Sequence, residues 1–149
     1  MNEEDIANGL GQALDDAMLG YPIVWENRYL RDGSGNLVET PNKAQMPYLV
    51  VEFVRTSRRN RALVGGVPKK GSQVSEGFMQ ITVVSERDAF SSAATGIADD
   101  VADVFPPATS ITITGGKITI MDFPTVIQGF PDDVSWRVPV RVPYRATST

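Results

Sequence analysis

The sequence predicts an α+β domain: a mainly antiparallel sheet of about five to six strands with two helices packed on one face. Three observations carry that reading. Over residues 134–145, VSWRVPVRVPYR, Val134, Trp136, Val138, Val140, Val142 and Tyr144 fall on one parity and Ser135, Arg137, Pro139, Arg141, Pro143 and Arg145 on the other. Side chains alternate faces along a strand, so this is a half-buried strand. Phe90, Ala94, Ile97, Val101, Val104 and Phe105 instead recur at three and four, the spacing of one helix face. The patterns follow one another as helix, strands, helix, strands, which suits helices gathered on one side of a sheet.

At 149 residues and 42% hydrophobic the chain suits a single domain spanning 1–149 with a core of its own. It contains no cysteine and no histidine. Disulfides, thiolate or imidazole metal sites and Ser/His or Cys/His nucleophile pairs are therefore excluded, and no cofactor is expected. The opening MNEEDIANGL lacks a basic leader, and no apolar run approaches the ~20 residues of a membrane helix, so the chain reads as soluble and made in the cytoplasm.

In chain order, the first helix starts at Asn2, a capping residue, with Glu3, Glu4 and Asp5 at its positive end and Ile6, Leu10, Ala13, Leu14 and Ala17 along one stripe. Gly20 and Pro22 end it. Gly9 and Gly11 each cost about 1 kcal/mol against Ala in a helix, so docking must stabilise it. Residues 21–30 alternate as a strand, with Ile23, Trp25 and Tyr29 opposite Glu26 and Arg28. Residues 32–36 are turn formers, and the polar stretch to Met46 is a loop or short hairpin. Residues 48–54 are the most continuously apolar run and read as a central strand buried on both faces.

Residues 55–75 break this pattern. Arg55, Arg58, Arg59, Arg61, Lys69 and Lys70 occur without one acid, among Gly65, Gly66 and Gly71. The segment reads as a long basic loop, functional or disordered in character, in which residues 62–64 could add a short strand, and it orders only against an acidic partner. Residues 78–84 form the strand that pairs across it. Ser85 or Asp88 caps the second helix, and Pro106 ends it. Residues 111–114 and 117–121 flank Gly115-Gly116, a two-residue hairpin turn. Residues 130–133 lead into the last strand. Pro139 and Pro143 remove donors from one of its edges, which makes it an edge strand that carries Arg137 and Arg141 outward.

Asp99, Asp100 and Asp103 resemble an oxygen-donor metal set, but the helical wheel places them on a solvated face. Asp132 and Asp133 follow Pro131 as turn residues. GVPKKGS at 66–72 lacks the lysine and the helix of a phosphate loop. The basic segment is a candidate contact with an acidic protein surface, together with Arg137 and Arg141. Nucleic acid is the alternative partner. Against it, the segment has no aromatic to stack a base, and the first 25 residues hold five acids and no base.

In order along the chain, these landmarks resemble the tail terminator, or tail completion, proteins of long-tailed bacteriophages and phage-derived particles. The matching pieces are the leading helix, Ile23-Val24-Trp25-Glu26-Asn27, Pro47-Tyr48-Leu49, the helix ending in Ala98-Asp99 and Phe105, and Trp136-x-Val138-x-Val140 running to Tyr144. The resemblance implies a non-enzymatic virion protein, assembled in the host cytoplasm, that forms a ring, expected to be a hexamer, at the head-proximal end of the tail. Its implied partners are other copies of itself, the tail tube protein and the head-tail connector, with DNA passing through the lumen and no membrane. No catalytic residue is carried over.

Overall fold

The computed structural model describes residues 1–32, 34–39, 41, 43–60, 63–64, 67–68, 73–87 and 91–148. The first helix, α1 (Glu3–Asp16), opens with a reciprocal cap: Asp5 N–H donates to Asn2 Oδ1 at 2.8 Å and Asn2 N–H to Asp5 Oδ2 at 3.0 Å. Short strands β1 (Ile23–Val24), β2 (Leu30–Arg31) and β3 (Leu37–Val38) follow, then a 3-10 turn (Lys43–Gln45) and the long β4 (Tyr48–Asn60). The pieces β5 (Leu63–Val64) and β6 (Val67–Pro68) precede β7 (Gln73–Glu86) and the second helix α2 (Ser91–Asp103). The chain ends in β8 (Ser110–Ile113), β9 (Gly116–Ile120), β10 (Thr125–Val126), β11 (Phe130–Asp132) and β12 (Ser135–Ser148).

The period-two residues of β4, β7 and β12 register with one another across the sheet. Leu49 lies opposite Val83, which lies opposite Val138; Val51, Ile81 and Val140 make the next row, and Phe53, Met79 and Val142 the one after. Residues opposite each other share a face, so these rows form one apolar floor. Ile6, Leu10 and Leu14 of α1 and Ala94, Ala98, Val101 and Phe105 of α2 pack into the same core. Both helices therefore cover one face, as the α+β reading expects. Gly9 and Gly11 explain their own cost: a Cβ on Gly9 would meet Ile113 Cγ2 at 2.5 Å, and one on Gly11 would meet the Trp25 ring at 3.2 Å. Their bare backbones let α1 approach the sheet closely.

The sheet is mixed, not antiparallel throughout, because β1 runs parallel to β4. Its order is β1-β4-β7-β12-β9-β8, with β10 and β11 also on β12. The expected strand at 21–30 is two pieces: β1, and β2 in a separate hairpin with β3. That hairpin brings Leu30 against Tyr48 and Val84 at one end of the helix-free face. Farther along that face Glu52 and Val54 are exposed, so β4 is not buried on both faces along its length.

The last strand is interior. β7 pairs one side of β12 from Ser135 to Thr147, and β11, β10 and β9 cover the other in three pieces. The prolines do interrupt that second ladder, as their missing donors require, but at its joints. Pro139 falls between β11 and β10 and Pro143 between β10 and β9, and their carbonyls accept from Ile127 N–H at 2.8 Å and Met121 N–H at 3.1 Å.

Two smaller expectations also shift. Ser85 lies within β7, where its hydroxyl donates to the Trp136 carbonyl at 3.3 Å, so it does not cap α2; Asp88 and Phe90 lie outside the described residues. In the β8–β9 hairpin Ile113 pairs with Gly116, so the two-residue turn is Thr114-Gly115, with Gly115 left-handed at φ 78°.

Candidate interaction surfaces

The basic segment is not one loop. Arg55, Arg58 and Arg59 sit in β4, which stays paired with β7 through Asn60 opposite Gln73, and a shift of register between Arg55 and Ser57 marks a bulge. Beyond it Leu63–Val64 pairs with Val67–Pro68. Arg61, Lys69 and Lys70 lie outside the described residues. Periodicity missed the extension because its stabilising partners are polar and come from the opposite strand.

The bulge sends the arginines to different sides. Arg55 lies opposite Gly77, itself opposite core Tyr144, and Arg58 opposite Ser75. Arg55 reaches α1, its Nε donating to Glu3 Oε2 at 3.1 Å, and Arg58 reaches the residue before the cap and its own hairpin, donating to the Met1 carbonyl at 3.4 Å and to Gln73 Oε1 at 3.0 Å. Arg59 points to the helix-free face. There Glu76 Oε1 accepts from Arg59 at 3.1 Å and from Arg145 Nε at 3.0 Å. Exposure of these pairs limits each to roughly 1 kcal/mol or less.

Arg137 and Arg141 also lie on the helix-free face. Arg141 stacks 4.9 Å from the Phe78 ring centroid, and its Nε donates to Gln80 at 3.3 Å. Arg137 Nε is 3.0 Å from Asp132 Oδ2, close as an ion pair but not aligned as a hydrogen bond. Burial raises the Tyr48 hydroxyl above its ordinary pKa of 10.0, with Arg137 opposing that shift and Asp132 adding to it. Asp133, left-handed at φ 53°, turns the chain from β11 into β12 as the turn reading expects, whereas Asp132 ends β11 opposite Ser135.

The sequence reading therefore joined residues that the fold separates: Arg55 and Arg58 beside the start of α1, and Arg59, Arg137 and Arg141 on the open sheet face. It missed Arg145 and Glu76, which organise that face, because their pairing joins strands far apart in sequence. It also missed exposed apolar side chains at the two edges: Tyr29 (57%) and Leu37 beside β1, and Phe123 (72%), Met121 and Phe130 beside β12. A pattern of apolar residues reports burial or exposure only once the strand's neighbours are known.

Concave sites are shallow. The hollow between α1 and β4, about 420 Å³, is lined by Gly11, Gln12, Asp15, Trp25, Glu26 and Phe53, and Glu26 there accepts the Phe53 N–H at 2.8 Å. Asp99, Asp100 and Asp103 are exposed on α2. Among the described residues no group of His, Cys, Asp or Glu is placed to hold a metal. No helix among them is long and apolar enough to cross a membrane.

The described residues form a helix-backed mixed sheet with an open, charged face. The chain matches the family described as phage tail terminator protein over residues 5–144, and it belongs to that family. It is thus a structural protein of phage tails and a virion component. Two solved structures share the fold. One, of a protein without a functional description, is 20% identical with a TM-score of 0.69, covering 98% of this chain and 96% of that one. The other comes from the virion of a native gene transfer agent (GTA) particle, 13% identical with a TM-score of 0.59, covering 97% and 96%. No curated protein matches the chain.

Proposed function

We propose that the protein closes the head-proximal end of a phage tail tube as a ring, a hexamer in the simplest case, that stops tube growth and presents a surface to the head-tail connector. The observation that carries this reading is the family match across residues 5–144. The fold adds physical support. Opposite sheet edges expose different apolar side chains, which suits contact between unlike surfaces, and such contacts close into rings. The role is one of assembly, without catalysis.

In this reading the cations of the β4–β7 hairpin and the sheet face, Arg55, Arg58, Arg59, Arg61, Lys69, Lys70, Arg137 and Arg141, contact acidic groups of a neighbouring subunit or of the tube. DNA meets the protein only as it passes through the lumen. Assembly takes place in the host cytoplasm, and the mature location is the head-proximal end of the tail.

Native mass spectrometry of the purified chain, alone and with tail tube protein, tests the ring. A single closed oligomer, alone or on tube ends, is expected. A monomer under both conditions overturns the reading.

A further inference from the structure

We infer that successive copies of this chain meet head to tail, with Phe123 of one copy seated in the hollow formed by Ile23, Trp25 and Tyr29 of the next, and with Asp122 facing Arg28 and Arg31. The inference rests on the ring reading and assigns its contact.

Phe123 is 72% exposed in a segment whose backbone is fixed. On one side Met121 N–H donates to the Pro143 carbonyl at 3.1 Å, and on the other Thr125 pairs with Arg141. The Asp122 carboxylate accepts the Phe123 N–H at 2.8 Å, which locks the tip locally. The side chain is thus held outward by its neighbours, and little ordering entropy remains to be lost on docking.

The receiving hollow, about 470 Å³, is lined by Ile23, Trp25, Arg28, Tyr29 and Arg31. Ile23 and Trp25 are half-buried and give it an apolar floor, while Tyr29 is 57% exposed at its margin. A turn places the rim: Arg28 N–H donates to the Trp25 carbonyl at 3.0 Å, with Asn27 left-handed at φ 61°. Arg31 donates to the Gly35 carbonyl at 3.1 Å, which leaves further guanidinium donors for a carboxylate.

Position and charge select a second copy as the occupant. Ile23 of the hollow lies opposite Leu49, in the row of Val83 and Val138, whereas the Phe123 tip lies between Met121, bonded to Pro143, and Thr125, opposite Arg141. Knob and hollow therefore lie on opposite edges of the sheet, as repeated addition of one subunit to the next requires, and are staggered along the strands. A two-fold pairing is disfavoured at either edge, since one through Phe123 would set Asp122 against its own copy, and one through the hollow would set Arg28 and Arg31 against theirs. Unlike edges attract.

The absence of native cysteine makes a direct test clean. Full-length Phe123→Cys and Tyr29→Cys chains, each checked for parental circular dichroism, are mixed under oxidising conditions, alone and with tail tube protein. The expected product is a disulfide-linked pair containing one chain of each kind, and the double variant should give a ladder that stops at the ring size. Asp122→Arg should weaken association at least tenfold, and combining it with Arg28→Asp and Arg31→Asp should restore it. If the parent forms a closed oligomer but the mixture gives no such pair and Asp122→Arg associates normally, this contact is wrong while the ring stands. If the parent stays monomeric with and without tube protein, both fall.

Discussion

The Glu3 carboxylate ties the start of α1 to the base of the β4–β7 hairpin: Oε2 lies 3.1 Å from Arg55 Nε, and Oε1 accepts from the Ser75 hydroxyl at 3.0 Å. As the first residue of α1, Glu3 also faces the positive end of the helix dipole. One side chain thus couples helix to hairpin. The Arg55 side chain remains 43% exposed, so the pair is screened. Glu3→Gln should lower stability by about 1 kcal/mol or less, with the loss shrinking at high salt, as read by urea unfolding.

Two glycines should respond in opposite directions to the same substitution. A Cβ on Gly77 would lie 2.3 Å from the Val54 carbonyl oxygen, beside the bulge, where backbone cannot move aside. Gly77→Ala should cost about 3 kcal/mol. Gly96, within α2, has open space where a Cβ would stand, with nothing inside 4 Å, so Gly96→Ala should stabilise by about 0.5–1 kcal/mol. Thermal melts of the two variants check the contrast.

Val101 is fully buried where α2 meets the sheet. Val101→Asp places an unpaired carboxylate in that core and should prevent folding or cost several kcal/mol. A melt like the parent's would contradict the packing of α2.

Alkaline pH should destabilise the fold through its tyrosines. Burial raises Tyr144 above its ordinary 10.0, with Glu3 adding to the shift and Arg55 opposing it, and Tyr48 is raised as well. The folded state holds these protons more tightly than the unfolded chain does. Stability is therefore unaffected below about pH 10 and falls as the pH climbs from there through the raised values. Tyr144→Phe should flatten that fall in unfolding curves collected across alkaline pH.

What local pattern could carry, the sequence carried. Period two located β12, strand-forming composition located β7, period 3.6 located α1 and α2, and Asn2 marked the first cap. The neighbour order of strands was not legible, because β12 has the same alternation whether or not β9, β10 and β11 cover its second side. The basic segment concealed two strand ends for a related reason. Arg59 belongs to the sheet through Glu76, a partner set by long-range register rather than by adjacent residues. The exposed Phe123 carried no signal of its own, since an aromatic in an irregular stretch reads as core until its surroundings are known.

The most direct test of the account is the growth of tail tubes in the presence of this protein. Polymerising tail tube protein is mixed with a substoichiometric amount of the full chain, and tube lengths and ends are imaged by electron microscopy. Shortened tubes that carry a ring of density at one end only, with growth continuing from the other, are the expected result. Tubes of unchanged length with bare ends, at protein concentrations where the chain is folded, would contradict it.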